Sequence, residues 1–551
     1  MIREVKDYLL KHPIVIVILV IAWLINLSFV FPIQAHFGHD TFWHLALINI
    51  AFDTFPPQVP IFAGETLAGY NYLLDLIIYA LTLVGVSATI GYIVIIPFVY
   101  LISTSILGII FAKRYGKSVY YVSSFIFFIF LATPFSYILS YMNRGSLFFA
   151  FQFPTTMQSV TALTNLAHAM TVPLILGVLI LLLKKTTTIR DVFILSLLVA
   201  LGFGIKFYGG VVLGLLVGTY FFINFIQTKD LKTFIIRAFI ISIPTLATLI
   251  FFYDPFSSTQ TGSIFSISPL ATVHPLIEDP DAFYMPTLVL ARYSLIDAGG
   301  FSPRLMAIEL FTVILYVVYN AGTRIIGFTA LAYKTITKKL TAFDTTIIIA
   351  IVCSGLFSMF LVQKGGDWWN TVQFFAYTLI LLNIYAADSL SVLLSRKSIQ
   401  ALLVVGVIII LTLPLDIEMV MRSIQEMNKP HGISVDEQEA LRFLKDQEED
   451  GIVFAIPVHY NSAYVPAFTH KPSYYADENV LTNIGVDYEE RKKEIADLEK
   501  IDYAKLDATY IYYLIDPPQG RTYNIDTIKN LLLDNAYEVI FSNEEVIVYK
   551  K

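Results

Sequence analysis

The sequence predicts a polytopic α-helical membrane protein that carries a small soluble α/β domain at its C-terminal end. Three observations carry this. The 551 residues are 56% hydrophobic and 15% charged, with a mean hydropathy of +0.68, which is more apolar surface than a soluble fold buries. Apolar runs recur along the chain at the ~20-residue length that crosses a hydrocarbon core of ~30 Å. From Asp416 onward the character changes: this part holds 26 acidic and 14 basic residues, a net charge of −12, and leaves +6 for the rest. The expected division is a membrane domain over 1–415, with an external loop at 34–68, and a soluble extracytoplasmic domain over 416–551. The acidic tail argues against a nucleic-acid partner. A lone cysteine, Cys353, excludes disulfides and thiolate metal sites as organising devices.

Spans are expected near 13–33, 69–85, 88–112, 119–138, 160–183, 191–206, 209–226, 233–253, 306–333, 343–362, 371–395 and 399–415. The first is long and lacks a small-residue cleavage pattern, so it reads as a retained span rather than a signal peptide. Basic connectors mark the cytoplasmic side: Arg3/Lys6/Lys11, Lys113-Arg114, Lys184-Lys185/Arg190, Lys229/Lys232, Lys334/Lys338-Lys339 and Arg396-Lys397. Loops 34–68, 254–305 and 364–370 are poor in Lys and Arg and mark the outer side. The parity does not close. Twelve spans from a cytoplasmic N-terminus return the tail to the cytoplasm, whereas the alternation after Lys184 puts it outside. One segment between residues 69 and 160 is therefore miscounted, Lys113-Arg114 is the weakest marker, and 11 or 13 spans are expected. The protein is placed in the plasma membrane, N-terminus cytoplasmic and tail extracytoplasmic.

The tail has its own pattern. Ser434-Val-Asp-Glu437 is a capping box ahead of the apolar run at Ala440. Gly451 to Ile456 and Ala508 to Tyr513 read as strands, Asp487 to Lys500 as a charged helix, and Tyr537 to Phe541 with Glu545 to Tyr549 as a hairpin around Ser542-Asn543.

The chemistry-bearing residues cluster toward the outer face. The stretch His36-Phe-Gly-His39-Asp40-Thr-Phe-Trp43-His44 follows the first span. Taken as a helix over 40–54, it sets Asp40 and His44 on one face, with Trp43, Leu47 and Ile50 as an apolar stripe suited to the membrane interface. A carboxylate beside imidazoles there can deprotonate an acceptor hydroxyl or, with His39, hold a divalent cation such as Mg²⁺ or Mn²⁺. The plainer alternative makes Asp40 a helix cap and His44 a headgroup contact. Asp53 and Asp75 are further acid/base candidates, and Tyr70 opens the next apolar run. Lys206, in Gly202-Phe-Gly-Ile-Lys206-Phe-Tyr-Gly-Gly210, sits between two apolar runs. It either meets a lipid phosphate or snorkels toward headgroups. Arg292 and Arg304, in the external segment, and Arg144 are alternative phosphate partners. Asn320 and Arg324, four apart in an apolar run, are expected to face the bundle interior, and His168 reads as a packed bundle histidine. In Lys364-Gly-Gly-Asp367-Trp368-Trp369-Asn370 the aromatics serve as interface anchors, or Trp368 and Asn370 wall an acceptor cleft.

One membrane helix, D-x-x-x-H at Asp40 and His44, the Pro-rich run from Pro56 to Pro60, Gly64 and the Tyr-rich start at Gly69-Tyr70-Asn71-Tyr72 together resemble the first external loop of GT-C glycosyltransferases. The plan of the whole chain, external tail included, is similar to theirs. The resemblance implies a GT-C-like fold and a polyprenyl-phosphate-linked sugar as donor. It also implies a glycan, lipid or protein acceptor in the cell envelope, Asp40 as catalytic base and Lys206 as phosphate contact. The Trp368 run departs from the W-W-D-Y-G motif of oligosaccharyltransferases in order and position, so N-linked oligosaccharide transfer is disfavoured. Two rival classes are a lipid or glycan transporter (flippase) and a non-catalytic envelope assembly protein. The first would show paired broken helices or repeats at mid-bilayer, and the second would make Asp40 dispensable.

Overall fold

The computed structural model describes residues 2–35, 39–148, 156–184, 186–253, 265–299, 301–363, 368–427, 433–457, 463–516 and 524–551. The chain forms two compact units. One comprises Met1–Phe31, Ile96–Leu249 and Gly262–Met427; the other comprises Pro32–Ile95, Ile250–Thr261 and Asn428–Lys551. The segment 34–68 thus belongs to the same unit as the tail. The domain boundary expected at 415/416 lies inside a continuous helix, Ile399–Met427.

The first unit is helical. Among the described residues the chain has seven helices long and apolar enough to cross a membrane, or nine if two bent pairs each count as one span. The bends have local causes. Arg3–Lys11 and Pro13–Ser28 meet at 105° and Val119–Leu131 and Ser136–Arg144 at 44°, each with a proline at the break, which removes a donor and drives its predecessor out of helical geometry. Helix starts follow the caps in the sequence: Thr188 with Asp191, and Thr341 with Asp344, form reciprocal capping boxes.

Buried polar groups tie this unit together. Arg324, fully buried, donates to Asn383 Oδ1 (2.9 Å), Gln158 Oε1 (2.8 Å), the Ala132 carbonyl (2.9 Å) and Ser159 Oγ (3.0 Å). Asn320, also fully buried, donates to the carbonyl of Tyr316. Both face the bundle interior, as expected. Lys334 bridges Asp344 (3.0 Å) and Asp388 (3.2 Å). Lys113 pairs with Glu4 at 2.8 Å, which joins the Lys113-Arg114 end of Ile96–Tyr115 to the N-terminal helix.

Two expected spans, 160–183 and 191–206, form helices of 17 residues, Leu166–Leu182 and Ile189–Ile205, at the lower limit of crossing length, and a third falls below it. The apolar run at 69–85 forms a helix only over Leu73–Thr82. Ten residues rise ~15 Å, half a hydrocarbon core, and the run ends in a turn at Gly85, whose φ of +92° suits glycine.

In the second unit a four-stranded sheet pairs Val453–Ile456 parallel to Tyr510–Leu514. The latter pairs antiparallel to Val546–Lys550, which pairs antiparallel to Glu538–Ser542. The first two strands are buried at every position, as strands covered on both faces are. Ser434 and Glu437 make the expected capping box for Val435–Lys445. The charged helix expected over Asp487–Lys500 is shorter, Glu489–Glu494. Beyond it Asp497 and Asp502 form tight local ion pairs with Lys500 and Lys505.

Candidate active site

The site starts from the helix His39–Ile50. Residues 41–48 are all buried, so the stripe of Trp43, Leu47 and Ile50 is covered by protein and does not lie on a membrane surface. Trp43 meets Tyr70 edge-on at 5.6 Å, and Phe42 packs on Tyr464 and Phe468 of the tail. Asn49 donates to the Ala467 carbonyl at 2.8 Å. Within the run 40–48 exposure is confined to Asp40, which stands in the first turn, where the helix N-terminus favours a carboxylate.

One turn on, His44 is buried and its Nδ1 lies 2.8 Å from Oδ1 of Asp75. Asp75 is 0% exposed. Its other oxygen, Oδ2, is buried without a hydrogen-bond partner among the described residues. The ring of Tyr92 stacks on His44 at 5.3 Å and 24°, and Tyr70 lies 6.4 Å away. Burial, and then the charges of Asp75 and Asp40, push the Tyr70 phenol well above its ordinary range, so Tyr70 stays a neutral hydroxyl. Asp40, His44, Tyr70, Asp75 and Tyr92 therefore form one cluster. Asp53 is apart from it, exposed at the end of the turn Ala51–Asp53 and accepting from Tyr79 at 3.2 Å.

The pairing of His44 with Asp75 is not visible in the sequence, where the two stand 31 residues apart. The one available signal was a carboxylate in an apolar run, which must find a partner when buried.

The remaining candidates belong to the other unit. Lys206 is half-buried in extended geometry between Ile189–Ile205 and Phe207–Thr228, at the N-terminus of the latter. Glycines let the two helices approach there: a Cβ on Gly210 would lie 2.6 Å from the Phe203 backbone nitrogen. Lys206 Nζ lies 6.0 Å from the centroid of the Tyr208 ring. Arg292 is engaged by protein: it binds Glu309 (2.7 Å), Glu278 (3.2 Å) and His274 (3.2 Å). Arg304 and Arg144 are exposed at helix ends. Asn370 donates to Gln363 at 2.8 Å, and His168 packs on Tyr377 at 4.7 Å. The side chains of His39 and Trp368 lie outside the described residues, as do positions 36–38 and 364–367. A carboxylate suits Mg²⁺ or Mn²⁺, which is commonly held by one or two carboxylates together with substrate phosphates. Among the described residues no group of three or more His, Cys, Asp or Glu is gathered for a metal ion.

No protein-family model and no curated protein matches the sequence. Solved structures do. The oligosaccharyltransferase of Archaeoglobus fulgidus, in complex with zinc and sulfate, aligns over 90% of this chain and 68% of its own at 12% identity, with a TM-score of 0.50. ArnT of Cupriavidus metallidurans, in the apo state, aligns over 99% and 98% at 10% identity, with a TM-score of 0.50. At such identity the likeness is one of fold.

Proposed function

Because the chain has the fold of GT-C membrane glycosyltransferases, we propose that it moves a sugar from a polyprenyl-phosphate carrier to an acceptor hydroxyl at the outer membrane face, with Asp40 as general base. One observation carries the reading: an exposed acid stands in the first turn of an otherwise buried helix, beside a buried His44–Asp75 pair. The acceptor oxygen attacks the anomeric carbon as Asp40 takes its proton, and the lipid phosphate leaves with the bonding pair. A positioned base contributes roughly 10²–10⁴ in rate. Tyr70, held neutral, is an O–H donor for a sugar hydroxyl. Lys206 is the cation for the donor phosphate, with the N–H groups that open Phe207–Thr228 adding to it. A divalent cation is admitted as a partner of that phosphate.

The same residues bear on sidedness. Without 69–85 the expected spans fall to an odd number. The Lys113–Glu4 contact supports a cytoplasmic Lys113-Arg114, and together these favour an external tail. The test is a transfer assay with purified full-length protein and a panel of polyprenyl-phosphate sugars. The expected result is release of polyprenyl phosphate in step with glycosylated acceptor. Hydrolysis or transfer from none of the donors, with folded protein, would overturn the reading.

A further inference from the structure

We propose that Asp75 is a positioning residue of the transfer reaction: it holds His44 by its Nδ1 edge, so that the imidazole receives at Nε2 the proton that Asp40 takes from the acceptor. The inference rests on the reading of Asp40 as base and adds where the proton goes.

Asp75 is fully buried in a short apolar helix, where a carboxylate is costly unless paired. Its partner across 2.8 Å is His44 Nδ1. With Asp75 ionised, its oxygen accepts, the proton of this bond sits on Nδ1 and Nε2 is the basic nitrogen of the neutral ring. Tyr92, nearly parallel at 24°, fixes the ring plane, and Tyr70 bounds it at 6.4 Å. Tautomer, plane and position are thus each set by a different neighbour, which a histidine that merely fills space does not require.

The described groups that face His44 are acids and neutral rings. Asp40 is one turn back on its own helix, Asp75 comes from Leu73–Thr82, Tyr70 from the turn before it, and Tyr92 from Gly91–Ile95. The packed tail helix Tyr464–Thr469 brings one titratable group, Tyr464, whose hydroxyl donates to Glu437 at 2.9 Å. Asp53, beyond the other end, is engaged by Tyr79. None of these described neighbours is a cation.

The step balances. The acceptor O–H bond breaks as its oxygen bonds the anomeric carbon, and the carbon–oxygen bond to phosphate breaks with its electron pair on the leaving phosphate. The proton passes from the acceptor to Asp40 and then to Nε2. The resulting imidazolium is paired with Asp75 until water takes the proton.

The test is a double-mutant cycle on the full-length protein together with a spectroscopic reading. Asp75→Asn and His44→Gln should each lower kcat at least ~10-fold, with KM for a polyprenyl-phosphate sugar within about twofold. The double variant should lose no more than His44→Gln alone. Nitrogen-15 spectra of histidine-labelled protein should show His44 as the Nδ1–H tautomer, converting to Nε2–H in Asp75→Ala. The spectrum needs no substrate. Wild-type transfer with an unaltered tautomer in Asp75→Ala, or an equal cost of Asp75→Asn with and without His44, would overturn this inference alone. The expected tautomer change in Asp75→Ala, beside a wild-type protein that transfers no sugar, would overturn the proposed function, and this inference with it.

Discussion

The guanidinium of Arg491 lies 4.0 Å over the ring of Phe62. It also lies 4.6 Å over Tyr474 and donates at 2.8 Å to the carbonyls of Tyr474 and Ala63. Next to this contact, backbone bonds join Ser473 to Pro60 and Ala63. The Pro-rich stretch after the site helix is therefore fastened to the tail by one arginine and a short backbone pairing.

Arg491→Ala is expected to destabilise this unit by about 2–3 kcal/mol, from two half-exposed cation–π contacts and two charge-assisted hydrogen bonds. Arg491→Lys should recover less than half, because a point charge cannot reach both carbonyls from over a ring. Thermal unfolding of the full-length protein and protease cutting in 56–67 measure it. An unchanged pattern in Arg491→Ala would dismiss the fastening.

Arg324 predicts a larger effect. Its four hydrogen-bond acceptors are neutral. Asp416 is also fully buried, with neither oxygen hydrogen-bonded among the described residues. Arg324→Met should cost about 3–5 kcal/mol by leaving four buried acceptors without their donor. Denaturant titration of the variant decides, and wild-type stability would dismiss the network.

Much of this fold is legible in the sequence because its signals are local. Apolar length marks the long helices. Ser434 with Glu437, and the strands near Val453 and Tyr510, stand where composition and capping put them. The placement of Asp40 and His44 on one helix follows from their spacing. What composition cannot separate is a short helix enclosed by protein from a span: the run at 69–85 is as apolar as its neighbours and ends after ten helical residues. For the same reason Trp43, Leu47 and Ile50 read as a lipid-facing stripe, although the chain buries them in protein. The His44–Asp75 bond joins two helices, and no periodicity encodes it. Arg292 reads as an available cation, yet His274 and Glu278, at the two ends of one short helix, and Glu309 from another engage it.

Topology offers an independent check. In a Cys353→Ser background, cysteine at exposed Lys493 should react with an impermeant thiol reagent on intact cells. Cysteine at Lys117, just past Lys113-Arg114 and exposed, should react only after lysis. The reverse labelling would invert the orientation and remove Asp40 from the outer face.

Lys206 is expected to act on the donor. Lys206→Met should lower kcat/KM for the polyprenyl-phosphate sugar at least ~10-fold by removing a charge-assisted phosphate contact, while KM for the acceptor changes little. Lys206→Arg should keep part of the activity, since charge survives and geometry changes. Steady-state kinetics with each substrate varied in turn measure this, and wild-type values for Lys206→Met would make the residue a headgroup contact only.

The central claim is that Asp40 is the base, and turnover of purified Asp40→Asn measures it most directly. Asparagine keeps the size and the capping ability of aspartate and removes its charge and basicity. The account predicts a folded protein that still binds polyprenyl-phosphate sugar and turns over at least ~100-fold more slowly. A cap-only role predicts near-normal turnover for Asn, and for Ala a loss of ~1 kcal/mol in helix stability. Full glycosyl transfer by Asp40→Asn would contradict the assignment and move the base to another acid of the site unit.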